Sequence, residues 1–168
     1  MSHTALILID LQNDYFPAGA YPLHDSEAVL ARTVDAVHRA QAQGVPVVLV
    51  QHVARGPSPF FNADTDGVQI HPSLRAAAPD APVVVKGHAD SFLNTTLQDT
   101  LAARGVDTLW LAGMMTQNCV THTALSPQAQ GYTVCVLDDL CTTIDPMIHA
   151  IAISALRDRV KVLPWSDL

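Results

Sequence analysis

The sequence predicts an α/β fold in three layers, α/β/α: a doubly wound, Rossmann-like sheet of six parallel strands with helices on both faces. Short apolar runs rich in Val, Ile and Leu alternate with longer segments of helical period, which is the pattern of βαβ units. The runs are apolar throughout, as in strands that are covered on both faces. Only 15% of the residues are charged, against about 25% in ordinary domains, so much of the chain is expected to be buried.

Six apolar runs are predicted to be strands. The runs at 4–9 and 45–50 are the most continuous, which favours central positions in the sheet, with Pro46 at the start of its strand. The predicted strands are 4–9, 45–50, 82–86, 107–112, 132–137 and 160–163.

Four helices are predicted between the strands. The segment 26–43 has apolar residues at helical spacing. A second helix begins at 95–98, where Thr95 and Gln98 have the spacing of a capping box. A third helix is predicted at about 117–130. For the last helix, Asp145-Pro146 has the pattern of an N-cap followed by the first helical position.

The last helix carries an apolar stripe, which consists of Ile148, Ile151, Ala152 and Ala155.

The segment 54–81 shows no clear hydrophobic period. The segment 54–81 is rich in proline and is predicted to be a long loop, of the kind that often carries function.

Composition and charge exclude several classes of partner. The 9 Lys and Arg residues stand against 16 Asp and Glu residues, and no basic stripe is present, so nucleic acid is not expected. No apolar run approaches the about 20 residues that cross a membrane, and no signal-peptide pattern opens the chain. The three cysteines form no C-x-x-C pair, which favours a reducing cytoplasm. We therefore expect a single cytoplasmic domain over 1–168 that binds a small molecule.

Three chemically reactive residues lie at the ends of predicted strands. Asp10 follows the first strand, Lys86 ends the third, and Cys119 lies in the turn after the fourth. In an open parallel sheet, ligands bind beyond the carboxyl ends of the strands. Each residue also has a structural explanation: a turn or cap for Asp10, a solvated loop for Lys86, and a buried inert thiol for Cys119.

Cys119 is predicted to lie in the first turn of a helix that begins near Thr116. Unpaired N–H groups and the helix dipole at that place lower a cysteine pKa from its usual value of about 8.5 and favour the thiolate. The chain contains only two lysines, Lys86 and Lys161. One of the two falls at the same edge of the sheet as Cys119.

Together these motifs resemble the isochorismatase-like cysteine hydrolase superfamily, which includes nicotinamidases, N-carbamoylsarcosine amidohydrolase, and ureidoacrylate and maleamate amidohydrolases. The resemblance covers nearly the whole chain and rests on the order and spacing of several blocks. The blocks are Asp10-x-Gln12-Asn13-Asp14, Gln51-His52, Lys86 with Ser91-Phe92 and Thr95-x-Leu97, Gly113-x-x-Thr116-x-x-Cys119-Val120-x-x-Thr123-Ala124, Gly131-Tyr132 and Asp138-Asp139.

The resemblance implies a Cys-Asp-Lys triad. Cys119 is the nucleophile, Asp10 is the general base, and Lys86 holds the Asp10 carboxylate and favours the thiolate. An oxyanion hole is implied at the backbone N–H groups of Met115 and Cys119, after a cis Met114–Met115 peptide bond, and assembly into a homo-oligomer is implied as well. The candidate substrate contacts are Gln12, Phe16, Gln51, Phe60, Phe61 and Phe92, although core packing explains each aromatic residue equally well.

The sequence departs from the metal-binding members of this superfamily, so no metal or other cofactor is expected. Nicotinamidases that bind a metal carry Asp-x-His after the second strand, where this chain has Val50-Gln51-His52. The eight histidines show no paired ligand spacing, and His52 is expected to line the pocket or satisfy a turn.

Three functions are open at this point. Isochorismatases proper cleave a vinyl ether without using a cysteine, so Cys119 favours hydrolysis of a C–N bond in an amide, imide or carbamoyl compound. The alternatives are vinyl-ether hydrolysis on the same fold and a non-catalytic nucleotide- or flavin-binding module. The module is disfavoured because neither G-x-G-x-x-G nor a Walker A loop follows the first strand.

Overall fold

The predicted sheet is present in the computed structural model, which describes residues 3–168. The strands are β1 (Thr4–Ile9), β2 (Val47–His52), β3 (Val83–Lys86), β4 (Thr108–Met114), β5 (Thr133–Thr142) and β6 (Lys161–Leu163). All neighbours pair in parallel, in the order β3-β2-β1-β4-β5-β6. The winding therefore reverses between β1 and β4, which is where doubly wound sheets bind ligands.

Helices connect the strands as a doubly wound fold requires. They are α1 (Ser26–Ala42), α2 (Pro72–Ala77), α3 (Leu97–Ala102), α4 (Thr121–Ala124) and α5 (Pro146–Leu156). The cap predicted for α5 is confirmed, because Asp145 Oδ1 accepts a hydrogen bond from the Met147 N–H at 2.7 Å and Pro146 opens the helix. Among the described residues, no helix is both long and apolar enough to cross a membrane.

The continuous helix predicted over 117–130 is wrong. The segment consists of a π-helical turn at Thr116–Val120, then α4, then a 3-10 turn at Pro127–Gly131. The break falls at Ser126, whose backbone is extended at ψ 140°. Proline disfavours helical geometry in the residue before it and has no N–H to donate, so Pro127 can begin a turn here but cannot continue one.

Two other local predictions also need correction. The loop predicted over 54–81 contains α2, whose first turn is capped by a ring nitrogen of His71 that accepts from the Ser73 N–H at 3.2 Å. The capping box at Thr95 is not formed, because α3 begins later, at Leu97. Thr95 Oγ1 instead accepts from the Leu97 N–H at 3.2 Å.

The core has two layers because side chains alternate along β1. Leu6 and Leu8 pack on the side of α1, whereas Ala5, Ile7 and Ile9 pack on the other side, toward α3 and α5. All five are at most 1% exposed. Burial on both faces explains both the continuous apolarity of this strand and the low content of charged residues.

The apolar stripe of α5 only partly faces this core. Ala152, Ile153 and Leu156 are buried, whereas Ile148 is 38% exposed and Ile151 is 63% exposed. The helix therefore presents apolar side chains on two faces, of which one is not covered by any of residues 3–168.

Gly113 allows β1 and β4 to approach closely at the reversal of the winding. It pairs with Ile9 and has φ 128°, a conformation that favours glycine. A Cβ at this position would overlap the Ile9 carbonyl oxygen. The strand ends that carry Asp10 and the turn of Cys119 are thus held together at a contact that only glycine fits.

We predict that Gly113→Ala lowers the free energy of unfolding by about 2 kcal/mol or more, because overpacking alone costs about 1–3 kcal/mol and the backbone is also unfavourable for alanine. Urea unfolding measures the change. Gly131→Ala is the control, since a Cβ there meets no atom of the described part of the chain within 4 Å. Equal unfolding midpoints for the two variants would contradict the prediction.

Candidate active site

The structure brings Asp10, Lys86 and Cys119 together at the carboxyl edge of the sheet. Asp10 directly follows β1, Lys86 is the last residue of β3, and Cys119 lies in the π-helical turn after β4. Lys86 Nζ lies 2.9 Å from Asp10 Oδ2 and 3.2 Å from Cys119 Sγ. The three residues are 0%, 2% and 3% exposed, in that order. They therefore form a buried cluster, as the positions at the strand ends predicted.

The Lys86 ammonium has more acceptors than protons. In addition to Asp10 and Cys119, Nζ lies 2.9 Å from His52 Nδ1 and 3.0 Å from the His88 carbonyl oxygen. An ammonium has three protons, so these four acceptors share them. The cation is held from four directions, and its position is determined by the surrounding groups.

The pKa values of Lys86 and Cys119 are both raised within the cluster. Burial opposes the charge on Lys86, but Asp10 and Cys119 outweigh it and raise the pKa of Lys86. Burial raises the pKa of the Cys119 thiol, and the Asp10 carboxylate raises it further, against the opposing effect of Lys86. The expected lowering of the cysteine pKa is therefore not what this structure favours. The resting site is best described as a carboxylate, an ammonium and a neutral thiol.

One oxygen of Asp10 is left open. Oδ2 accepts the bond from Lys86, whereas Oδ1 has no hydrogen-bond partner among residues 3–168, although it is fully buried. A carboxylate oxygen of Asp10, Cys119 Sγ and a ring nitrogen of His52 all lie within 4.8 Å of one another. An unpaired carboxylate oxygen beside a neutral thiol is suited to accept a proton.

One backbone feature near Cys119 agrees with what the resemblance implied, namely a cis peptide bond. The Met114–Met115 peptide bond is cis. Met115 and Cys119 are both buried, and the Met115 carbonyl accepts bonds from the N–H groups of Asn118 and Val120. The oxyanion hole itself stays a prediction.

The side-chain amides of Gln12 and Gln51 form hydrogen bonds with backbone groups. The Gln12 Nε2 donates to the carbonyl oxygens of His52 and Val68 at 2.8 and 2.7 Å, and Oε1 accepts from the His52 N–H at 2.7 Å. Gln51 Nε2 also donates to Val68, at 2.9 Å. Both amides therefore join β2 to the loop near Val68, and contact with substrate stays a prediction for each of them.

The predicted aromatic contacts divide into two groups. Phe60 and Phe61 pack on the ring of Tyr15, with ring centres 5.3 and 4.5 Å away. Phe16 packs against His71, and Phe92 stacks on Tyr132 at 6.0 Å. Phe16, Phe61 and Phe92 are buried in the two core layers and Phe60 packs against one of them, while contact with substrate stays a prediction for all four.

Tyr15 was not predicted to lie near the cluster, whereas His52 was expected to line the pocket or satisfy a turn, but its contact with Lys86 was not predicted. Burial raises the pKa of Tyr15, and its neighbours Asp10 and Cys119 raise it further. The His52 ring lies 5.9 Å from that of Phe61. His52 lies in one of the blocks that carry the resemblance, and Tyr15 directly follows another. Neither position in the sequence indicates which residue the side chain contacts.

The residues present do not fit a resident metal ion. Asp10, His52 and Cys119 are the donor set that lies close enough within the described chain. The Lys86 ammonium bonds to all three of them, so it already takes the position that an ion would need. A cation next to this ammonium would be repelled by it.

Asp14 fastens the loop that lies beside the cluster. Its Oδ2 accepts from the Phe61 N–H at 2.7 Å and its Oδ1 from the Ala20 N–H at 3.1 Å, while the residue is only 7% exposed. A Cβ on Gly67 would overlap the same carboxylate. One buried carboxylate thus joins the segment after β1 to the loop that carries Phe60 and Phe61.

The fold and the site together are those of a hydrolase built on a doubly wound α/β sheet. The chain belongs to the isochorismatase family, because residues 4–164 match the Isochorismatase domain model. It is 38% identical to the uncharacterized isochorismatase family protein YddQ of Bacillus subtilis (strain 168) over 141 residues, which cover 83% of this chain and 78% of that protein. Members of the family are hydrolases, so the alternative of a non-catalytic nucleotide- or flavin-binding module is set aside.

Two further comparisons agree with this assignment. The nicotinamidase of Escherichia coli (strain K12) is 29% identical, with 86% of this chain and 85% of that protein covered. The crystal structure of an isochorismatase family protein from Desulfovibrio vulgaris superposes with a TM-score of 0.90 at 26% identity, over 99% of this chain and 96% of that one.

We predict that Asp14→Ala loosens the loop and destabilises the protein, because two backbone N–H groups lose their acceptor and the buried one, on Phe61, costs about 1–3 kcal/mol when left unpaired. Amide hydrogen exchange at Phe61 should accelerate, and the melting temperature should fall. Asp80→Ala is the matched control, since Asp80 is exposed. Unchanged exchange at Phe61 would show that Asp14 does not hold the loop.

Proposed function

We propose that the protein is a metal-independent cysteine hydrolase that cleaves a C–N bond in a small amide, imide or carbamoyl compound. The observation that carries the proposal is the position of the Lys86 ammonium, within hydrogen-bond distance of both the Asp10 carboxylate and the Cys119 thiol. A nucleophile, a base and a cation at one buried point are what acyl transfer through a thioester needs.

In the proposed reaction, Asp10 takes the thiol proton as Cys119 Sγ attacks the substrate carbonyl carbon. The carbonyl oxygen becomes an oxyanion, which the N–H groups of Met115 and Cys119 are proposed to stabilise. Asp10 returns the proton to the leaving nitrogen as the C–N bond breaks, leaving a thioester. Water then attacks the thioester, gives one proton to Asp10, and releases the acid and the thiol.

Proton transfer during the attack follows from the electrostatics of the cluster. Burial raises the pKa of Cys119, so a preformed thiolate is disfavoured and the base must act as the bond forms. Asp10 Oδ1 supports this role, because none of the described residues donates a hydrogen bond to it and it can accept the proton. Lys86, whose pKa is raised, keeps the charge that stabilises the carboxylate and then the developing thiolate.

The relatives support hydrolysis of a C–N bond over cleavage of a vinyl ether. The similar Escherichia coli protein is named a nicotinamidase, and a nicotinamidase acts on an amide. Vinyl-ether hydrolysis remains the second candidate, because the family model is that of an isochorismatase domain. Assays of isochorismate cleavage and of ammonia release from amides separate the two.

We predict that Cys119→Ala abolishes ammonia release, because the variant has no nucleophile for the thioester. The measurement is a screen of small amides, ureides and nicotinamide, followed by trapping of the acyl-enzyme by mass spectrometry. Cys135→Ala is a closely matched control, since Cys135 is also a thiol at 3% exposure. Full activity in Cys119→Ala, or loss only in Cys135→Ala, would overturn the proposal.

We also infer that the protein forms a homo-oligomer through the uncovered face of α5. The large exposed apolar side chains of this region are Leu125, Ile144, Met147, Ile148 and Ile151. Neither residues 108–137 nor residues 146–156 contain Asp, Glu, Lys or Arg. Two copies that each carry a net charge of −7 repel least where their surfaces are uncharged, so a second copy is the favoured occupant.

This face is connected to the nucleophile. His149 on α5 lies with its Nδ1 2.8 Å from Thr116 Oγ1, in the same turn as Cys119. A second copy that covers α5 would therefore also be connected, through His149 and Thr116, to the turn that positions the thiol.

We predict that Ile151→Asp shifts the protein toward the monomer, because two buried carboxylates would face one another across a symmetric interface. Light scattering after size-exclusion chromatography measures the mass. Val83→Asp, at an exposed apolar residue of β3, should leave the mass unchanged. A monomeric wild type, or the same shift in both variants, would contradict this interface.

A further inference from the structure

We propose that His52 is a positioning residue for the reaction, whose neutral imidazole holds the Lys86 ammonium in line with Asp10 and Cys119. The proposal rests on the function proposed above and adds a fourth side chain to its machinery. It is carried by the 2.9 Å contact between His52 Nδ1 and Lys86 Nζ. His52 does not contact the reacting atoms in this role and acts through the lysine.

The contact determines which form of the histidine is present. An ammonium only donates hydrogen bonds, so Nδ1 must accept from Nζ with its lone pair. The imidazole is then neutral and carries its proton on Nε2. The other tautomer would direct an N–H at the ammonium, and the imidazolium would place a second cation 2.9 Å from the first.

His52 is itself held rigidly enough to act as a support. Its backbone N–H and carbonyl oxygen both bond to the amide of Gln12, at 2.7 and 2.8 Å. Its ring lies beside Phe61, whose N–H is bonded to Asp14. The polar residues after β1 thus hold the histidine, and the histidine holds the lysine.

The surroundings of the ring disfavour its protonation. Burial lowers the pKa of His52 and the Lys86 ammonium lowers it further, while the Asp10 carboxylate acts in the opposite direction. The other titratable groups that face the ring are His88 and the neutral thiol of Cys119. The supporting form is therefore maintained at neutral pH and is lost as the pH falls through a value below the ordinary histidine pKa of about 6.5.

The hydrogen bond to His52 engages one of the three ammonium protons and so affects where the other two are directed. With one proton directed at Nδ1, the remaining protons are shared by Asp10 Oδ2, Cys119 Sγ and the His88 carbonyl. Without the imidazole, three acceptors remain, but the ammonium is no longer held from the side of β2 and can shift relative to the thiol. The expected loss is in kcat rather than in KM, because the cation acts on the charge that develops on sulfur and not on the bound substrate.

The test compares two variants of His52. In His52→Asn, the side-chain oxygen can take the place of Nδ1 as an acceptor but does not titrate. In His52→Leu, no acceptor is left. With an amide substrate identified in the screen, we expect His52→Leu to lower kcat at least about tenfold with little change in KM, whereas His52→Asn stays within about threefold of wild type and loses the fall in activity below about pH 6.5.

A second measurement does not depend on activity. Nitrogen chemical shifts of the His52 ring should show the Nε2–H tautomer in the wild type, with a pKa below the ordinary value that rises toward it in Lys86→Met. A ring protonated on Nδ1, or a pKa unchanged in Lys86→Met, would overturn the proposal. So would wild-type kcat in His52→Leu when its melting temperature shows that it is folded, or an unchanged acid limb in His52→Asn.

The two proposals fail in different ways. If the hydrolase proposal is wrong, Cys119→Ala has no effect on turnover while the ring shifts still report the contact between His52 and Lys86. If only the role of His52 is wrong, Cys119→Ala abolishes turnover while the histidine variants behave like wild type.

Discussion

A buried ammonium has to be surrounded by acceptors and negative charge, and the carboxyl edge of this sheet is organised around that requirement. Removing the charges of Lys86 and Asp10 from water is expensive, and a buried ion pair offsets the cost only when further hydrogen bonds satisfy it. Both side chains are wholly buried, 2.9 Å apart. The ends of β1, β2 and β3 and the turn after β4 each supply one group to the cation.

The same constraint explains why polar residues appear where the chain is otherwise apolar. Gln12 and Asp14 follow Asp10 closely, and their side chains bond to backbone groups of His52, Val68 and Phe61. Backbone groups in loops that are not paired in a sheet need such partners when they are buried. The loop that carries Phe61 and Val68 is therefore hydrogen-bonded to the residues that follow Asp10, so the loop and the site are held together.

Much of the fold was predictable because local rules and the sheet agree. Continuous apolarity identified β1 and β2, and the carboxyl ends of parallel strands must meet at one edge, so Asp10 and Lys86 could be placed near each other without knowing the contacts. Prediction failed where one residue overrode a pattern: Pro127 broke the helix expected over 117–130, and His71 capped α2 within an expected loop.

The sequence by itself determined the strands, their burial on both faces, and the edge at which a thiol, a carboxylate and an ammonium come together, because these depend on residue type and spacing along the chain. Only the tertiary structure decided what Gln12 and Gln51 bind, that His52 contacts Lys86, and that the pKa of Cys119 is raised. These properties depend on distance and desolvation, which are set by residues far apart in the chain. A helix dipole can be inferred from position alone, but the burial that raises the pKa of Cys119 exists only after the loop, the strands and the turn have packed together.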